Sequence, residues 1–203
     1  MTAVKEHGRV YTPDYLVSII LDYGGYDNKN ILCKNVIDNS CGDGAFLIEI
    51  VRRYCNEFCK ISDDKNRLKK ELETYIHGIE LDGEECSKCK KNLDAVVSAF
   101  GIRDIDWDIL NADTLQVTQY NDKMDYVFGN PPYVRVHNLD SSYDVVKQYT
   151  FSQGGMTDLY IVFFEIGFRM LAETGTMCLI TPSSWLTSVA GSVFRQYLIT
   201  IVR

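Results

Sequence analysis

Along this chain, short unbroken apolar runs alternate with stretches in which apolar residues recur every three or four positions. The runs at residues 35–39 (NVIDN), 75–81 (YIHGIEL), 107–113 (WDILNAD), 124–130 (MDYVFGN) and 175–184 (GTMCLITPSS) have the length and composition of buried strands. Between the first two, Phe46, Leu47, Ile50, Val51, Tyr54 and Phe58 fall on one helical face. Between the last two, residues 157–173 (TDLYIVFFEIGFRMLAE) predict a helix that stops near Gly175. The charged block at residues 62–73 reads as a solvated helical connection. Strands alternating with helices in this way predict an α/β fold, with a mostly parallel sheet covered on both faces. No repeat or low-complexity linker interrupts the pattern, so residues 1–203 are read as a single domain.

Composition narrows the class. With 203 residues, 46% of them apolar and 24% charged, the chain can bury one sizeable core. The start, MTAVKEHGRVYTP, lacks the apolar stretch of a secretion signal, and no run approaches bilayer length, so a cytoplasmic protein without membrane contact is expected. Seven irregularly spaced cysteines point to reduced thiols. Cys55 with Cys59, and Cys86 with Cys89, have spacings a zinc site could use, but both pairs fall in helical patterns and no metal is expected. His7, His77 and His137 show no ligand spacing and read as incidental. A net charge of −7 disfavours phosphate contacts on average. No acidic residue follows Glu173, however, while Arg195 and Arg203 do, so the C-terminal part is locally basic.

Parallel sheets bind ligands beyond the carboxyl ends of their strands, where the strand order reverses. The first run leads into DNSCGDGAFL, where Gly42 and Gly44 allow a sharp turn and close approach of a ligand; many such turns are purely structural. Asp38, at the strand end beside exposed amides, suits a ligand with an ammonium group. Glu80 ends the second run, where an acid often takes the two hydroxyls of a ribose, and Asp113 lies at the same rim after the third. Three acids in one row repel phosphate. S-adenosylmethionine carries an ammonium, a ribose diol, an adenine amino group and a sulfonium but no phosphate, and it fits that row. The fourth run ends on Asn130-Pro131-Pro132-Tyr133, whose prolines fix φ and push the preceding residue out of helical space, making a rigid ledge.

The order GRVYTP, DNSCGDGAFL, GIELD, NADTL, GNPPY, DLYIVFFEIGFRML and GTMCLITPSSWL, from about Gly8 to Leu186, resembles the amino-methylating DNA methyltransferases. It is similar to the N6-adenine enzymes in which the cofactor motif precedes Asn-Pro-Pro-Tyr, as in type I modification subunits and fused type II restriction-modification enzymes. The resemblance implies a Rossmann-like S-adenosylmethionine-dependent methyltransferase fold acting on duplex DNA. It places Thr12 on the methionine carboxylate, Asp38 and the turn of Cys41, Gly42 and Gly44 on the methionyl part, Glu80 on the ribose and Asp113 on the cofactor adenine. Asn130, Pro131, Pro132 and Tyr133 would be the catalytic element, with Asn130 also lining the cofactor site.

In that family the poorly nucleophilic adenine amine is drawn toward tetrahedral geometry by two acceptors, here the Asn130 side-chain oxygen and the Pro131 carbonyl. The base is flipped out of the duplex to reach them and stacks on Tyr133. Two departures stand out. Asn39 occupies a position where proline is common. The family also continues past Leu186 with further strands, a pocket-closing aromatic and a target-recognition domain. We therefore expect a partial catalytic domain, with its C-terminal strands missing and DNA reached through a region outside this chain, and with a specificity or restriction component as a possible partner. The absence of a Pro-Cys pair argues against cytosine C5 methylation, and N4-cytosine enzymes tend to carry serine in place of Asn130. The alternatives are a protein glutamine or RNA adenine methyltransferase, or an inactive fragment that binds only cofactor or DNA.

Overall fold

The computed structural model describes residues 12–27, 30–136, 143–154 and 157–201. The chain divides into two compact units. The first comprises Thr12–Gly129 and Met170–Leu179 and holds the sheet. Its strands are β1 (Val36–Asp38), β2 (Ile76–Glu80), β3 (Asp108–Asn111), β4 (Met124–Gly129) and β5 (Leu171–Leu179), in the order β3-β2-β1-β4-β5. Every pairing is parallel. β1 and β2 are buried at every position, which requires cover on both faces and explains why they read as unbroken apolar runs. The edge strands β3 and β5 are partly exposed.

The helices of this unit follow from local signals. α1 (Asp14–Tyr23) begins after Pro13, a residue suited to a helix start. α2 (Ala45–Phe58) buries the six apolar residues predicted for its face together with Cys55, each large side chain contributing about 1.5–3 kcal/mol. α3 (Lys65–Tyr75) and α4 (Gly83–Ser98) are capped by Asp64 and Asp82, whose carboxylates accept the backbone amides of their first turns. The charged block is thus helical, but it is not wholly solvated. Leu68, Glu71 and Leu72 are buried, and Glu71 receives the Tyr54 hydroxyl at 2.7 Å and Arg67 Nε at 2.8 Å.

Gly175 plays a different part from the one predicted. It sits inside β5, where a β-carbon would lie 2.6 Å from the Met124 carbonyl. It therefore permits close strand approach rather than stopping the preceding helix. β5 begins at Leu171, opposite Met124, and a register shift between Met124 and Tyr126 absorbs the extra residues.

The amino ends of β1, β2 and β3 are tied by a polar network. His77 Nδ1 lies 2.7 Å from Asp108 Oδ2 and its Nε2 lies 3.2 Å from Asn35 Oδ1. The Tyr120 hydroxyl donates to the same Asp108 oxygen at 3.0 Å. The His77 bond is the main cause holding the Asp108 carboxyl below its ordinary range. His77 is therefore a structural bracket between neighbouring strands; His7 and His137 lie outside the described residues.

The second unit includes Asn130–Arg169 and Ile180–Arg203. It contains a short α5 (Tyr143–Val146), almost all of α6 (Leu159–Met170) and α7 (Ser192–Ile201). Its core is aromatic: Phe194 stacks on Phe164 at 4.1 Å between ring centroids, and Trp185 packs 4.9 Å from Phe194. Ser183 and Ser184, read as a turn, open a 3₁₀ turn over Ser183–Leu186. Arg195 donates to the Trp185 and Ser188 carbonyls, tying α7 to that turn.

Among the described residues no helix is long and apolar enough to cross a membrane, and no group of three or more His, Cys, Asp or Glu side chains could hold a metal ion. Cys55, Cys86 and Cys89 are buried and Cys59 is exposed, all of them as free thiols.

Candidate functional site

The strand order reverses between β1 and β4, so the carboxyl ends of these strands, with that of β2 beside them, form the expected ligand rim. Asp38 ends β1 and is only 2% exposed. Its Oδ1 accepts the Ser40 amide at 3.0 Å, yet burial outweighs that bond and, with the nearby Glu80 charge, pushes the carboxyl up to about 7.

The following turn is held by Cys41 N donating to the Ile79 carbonyl at 3.0 Å and Gly44 N donating to the Cys41 carbonyl at 2.8 Å. Gly42 and Gly44 have φ of +55° and +99°. A β-carbon on Gly42 would meet nothing within 4 Å, whereas one on Gly44 would lie 2.8 Å from Cys89 Sγ. We therefore expect Gly44→Ala to lower stability by about 1–3 kcal/mol from positive-φ strain and overpacking. A thermal melt unchanged from wild type would contradict this role for Gly44.

Glu80 ends β2, with its Oε2 accepting Gly42 N and its Oε1 accepting Asp82 N, each at 2.8 Å. One carboxylate thus joins the β1 turn to the start of α4. Asp113 caps a 3₁₀ turn, accepting Leu115 N at 3.0 Å on Oδ1 and Gln116 Nε2 at 3.0 Å on Oδ2. The adjacent Thr114 hydroxyl donates to the Asn39 carbonyl at 2.7 Å, tying that turn to the loop after β1. The structure thus brings Asp38, Cys41, Gly42, Gly44 and Glu80 together and links Asp113 to them through Thr114. Thr12 is buried just ahead of α1; residues 8–11 of the same motif lie outside the described residues.

Asn130 follows Gly129 directly and belongs to the second unit. There the Tyr133 hydroxyl donates to Asn130 Oδ1 at 2.5 Å, with the Ile180 carbonyl at 3.2 Å as a second acceptor sharing the same hydrogen. The Tyr133 ring meets Tyr160 edge-on at 6.0 Å, and Tyr160 shares a 2.9 Å hydrogen bond with Ser184. Burial raises the Tyr133 phenol above its ordinary value. An amide oxygen has two lone pairs, so this bond orients the Asn130 amide and is compatible with a second donor. Pro131 is buried and Pro132 half-buried. The tie between Tyr133 and Asn130 had no sequence signal beyond their spacing across two prolines. The tie from Thr114 to the Asn39 carbonyl was equally hidden, although Asn39 itself stood out in the sequence where a proline is common.

The fold is that of a Rossmann-like methyltransferase. The profile of the Eco57I restriction-modification methylase family matches residues 30–202, and the chain belongs to that family. It is 31% identical over 207 residues to the type II methyltransferase M.BstVI of Geobacillus stearothermophilus, covering 96% of this chain and 36% of that protein. Among solved structures it resembles a chain of the DrdV–DNA complex (TM-score 0.75, 18% identity, 97% of this chain and 23% of that one). It also resembles the methyltransferase subunit of a type I restriction-modification system from Streptococcus thermophilus (TM-score 0.62, 21% identity, 97% of this chain and 40% of that one). The chain spans about a third of the length of the curated relatives it matches.

Proposed function

We propose that this chain is the catalytic core of a DNA methyltransferase of a restriction-modification system, moving a methyl group from S-adenosylmethionine to the N6 amine of a flipped-out adenine. The observation that carries the reading is topological. Buried acids end β1 and β2, and Asn130-Pro131-Pro132-Tyr133 leaves β4, the strand beside β1 at the switch point. Family membership and the DNA bound in the DrdV complex support nucleic acid as the substrate, and a cytoplasmic location follows from that reading.

The residues of the rim suit the cofactor: Asp38 matches an ammonium, Glu80 a ribose diol, and the row of acids disfavours phosphate. When bound, the cofactor supplies an electrophilic methyl group on sulfur. Asn130 Oδ1 and the Pro131 carbonyl accept the two hydrogens of the amine, drawing its lone pair out of the ring and toward the methyl group. The tie to Tyr133 spares Asn130 a search for its orientation. Tyr133, held at its hydroxyl and its edge, is fixed as a stacking surface.

To test the reading, the longest natural polypeptide carrying this sequence is incubated with methyl-tritiated S-adenosylmethionine and, separately, duplex DNA, RNA or protein. Label in duplex DNA is expected. Label confined to protein or RNA would replace the reading with a glutamine or RNA adenine methyltransferase.

A further inference from the structure

The segment leaving the Asn-Pro-Pro-Tyr element is laced to the start of α6. Leu159 N donates to the Val134 carbonyl at 2.8 Å and Val136 N to the Thr157 carbonyl at 3.0 Å, on either side of an antiparallel bridge between Arg135 and Asp158. Counted outward from that bridge, Tyr133 stands opposite Tyr160, and their rings meet almost at right angles, 86° between planes and 6.0 Å between centroids. Tyr160 is 1% exposed, and its hydroxyl shares a 2.9 Å hydrogen bond with Ser184 Oγ in the 3₁₀ turn after β5. Tyr133 is only half-buried, so part of its ring stays open.

The two kinds of contact on Tyr133 constrain different things. A phenol oxygen lies on the axis running from Cβ through the ring, so hydrogen bonds to it fix the tip of the side chain but leave the ring free to turn about that axis. The plane is set by what lies beside the ring. Stacking depends on that plane, because a base gains its contact only when the two faces lie parallel. Asn130 and the Ile180 carbonyl therefore hold the end of Tyr133, and Tyr160 holds its plane.

We propose that Tyr160, anchored by Ser184, is a positioning residue that sets the plane of Tyr133 for stacking of the flipped base, an inference that rests on the base-flipping reading above and adds two side chains outside the Asn-Pro-Pro-Tyr element to it. Contact runs from Ser184 through the Tyr160 hydroxyl and ring to the Tyr133 ring, so the turn after β5 helps decide how the base is received. Methyl transfer itself stays with Asn130 and Pro131; Tyr160 and Ser184 act only through Tyr133. A leucine at position 160 would fill the core but offer no ring, whereas a phenylalanine would keep the ring contact and lose the anchor to Ser184.

The test is a double-mutant cycle in the longest natural polypeptide carrying this sequence, with kcat/KM for unmethylated genomic DNA measured at saturating methyl-tritiated S-adenosylmethionine. Tyr160→Leu should lower kcat/KM by about fivefold to a hundredfold, the scale of one base–aromatic stack, and Tyr160→Phe and Ser184→Ala by less. In a Tyr133→Ala background, where no ring remains to be oriented, each of the three changes should have little further effect. If Tyr160→Leu fails to fold by thermal melt, Tyr160→Phe and Ser184→Ala, which keep the core filled, carry the test. Equal losses in both backgrounds would make Tyr160 a packing residue and overturn the proposal, as would the absence of any loss where Tyr133 is present. Unchanged kcat/KM in Tyr133→Ala alone would instead overturn the reading of Tyr133 as the stacking surface, and an unaltered polypeptide that puts no label into DNA would overturn the nucleic-acid reading beneath both.

Discussion

Asn130→Ala should lower the rate of methyl transfer by at least about 10²–10³-fold, the scale on which single preorganised polar groups act, while cofactor affinity, to which Asn130 adds only as part of the lining, falls far less. The split follows from what the side chain touches. Its oxygen is oriented by the Tyr133 hydroxyl at 2.5 Å and is assigned to the substrate amine, the reacting group. Tyr133→Phe should give a milder loss of turnover, since the ring remains and only the tie to Asn130 is removed. Single-turnover kinetics beside cofactor titration separate the two effects. Near-normal turnover in Asn130→Ala would remove this residue from the chemistry.

Glu80→Ala should weaken S-adenosylmethionine binding by about 1.5–3 kcal/mol, roughly tenfold to more than a hundredfold, because a charged acceptor is lost. It should also loosen the site, since the same carboxylate holds the Gly42 and Asp82 amides at 2.8 Å each. Unchanged affinity by calorimetry would contradict its placement on the ribose.

Asp38 adds a pH dependence whose sign can be worked out. Burial, aided by the Glu80 charge, raises its carboxyl to about 7, so the neutral form is favoured below that pH. An ammonium ligand needs the ionised form. Affinity should therefore weaken up to about tenfold per unit as pH falls below 7, and level off above it. Folding stability runs the other way. A raised carboxyl contributes stability that is full below its ordinary range near 4 and is lost as pH rises through 7. Asp38→Asn should thus melt higher than wild type at pH 8 while binding cofactor less well.

The parts of the fold that could be read from sequence were those with one dominant cause. β1 and β2 are buried on both faces, so their apolar runs had no competing explanation, and α2 showed its core face plainly at helical spacing. The start of β5 was missed because residues 171–174 lie on a partly exposed edge strand and continue the composition of α6, while Gly175 resembled a helix stop. The distinction depends on the Met124 carbonyl, which is remote in sequence. α3 looked solvated because charged residues outnumber the Leu68 and Leu72 contacts that anchor it.

At the site, strand-end acids were legible because topology alone puts them at the rim. The capping of a 3₁₀ turn by Asp113, the tie from Thr114 to the Asn39 carbonyl and the tie from Tyr133 to Asn130 were not, because each is defined by partners that only folding supplies.

The central claim is that a methyl group is placed on the exocyclic amine of adenine. It is tested most directly by incubating the longest natural polypeptide carrying this sequence with S-adenosylmethionine and duplex DNA, digesting the DNA to nucleosides, and separating them by mass-resolved chromatography. The account predicts N6-methyldeoxyadenosine as the product, lost in Asn130→Ala. Methylated deoxycytidine, or N6-methyldeoxyadenosine formed equally by Asn130→Ala, would contradict it.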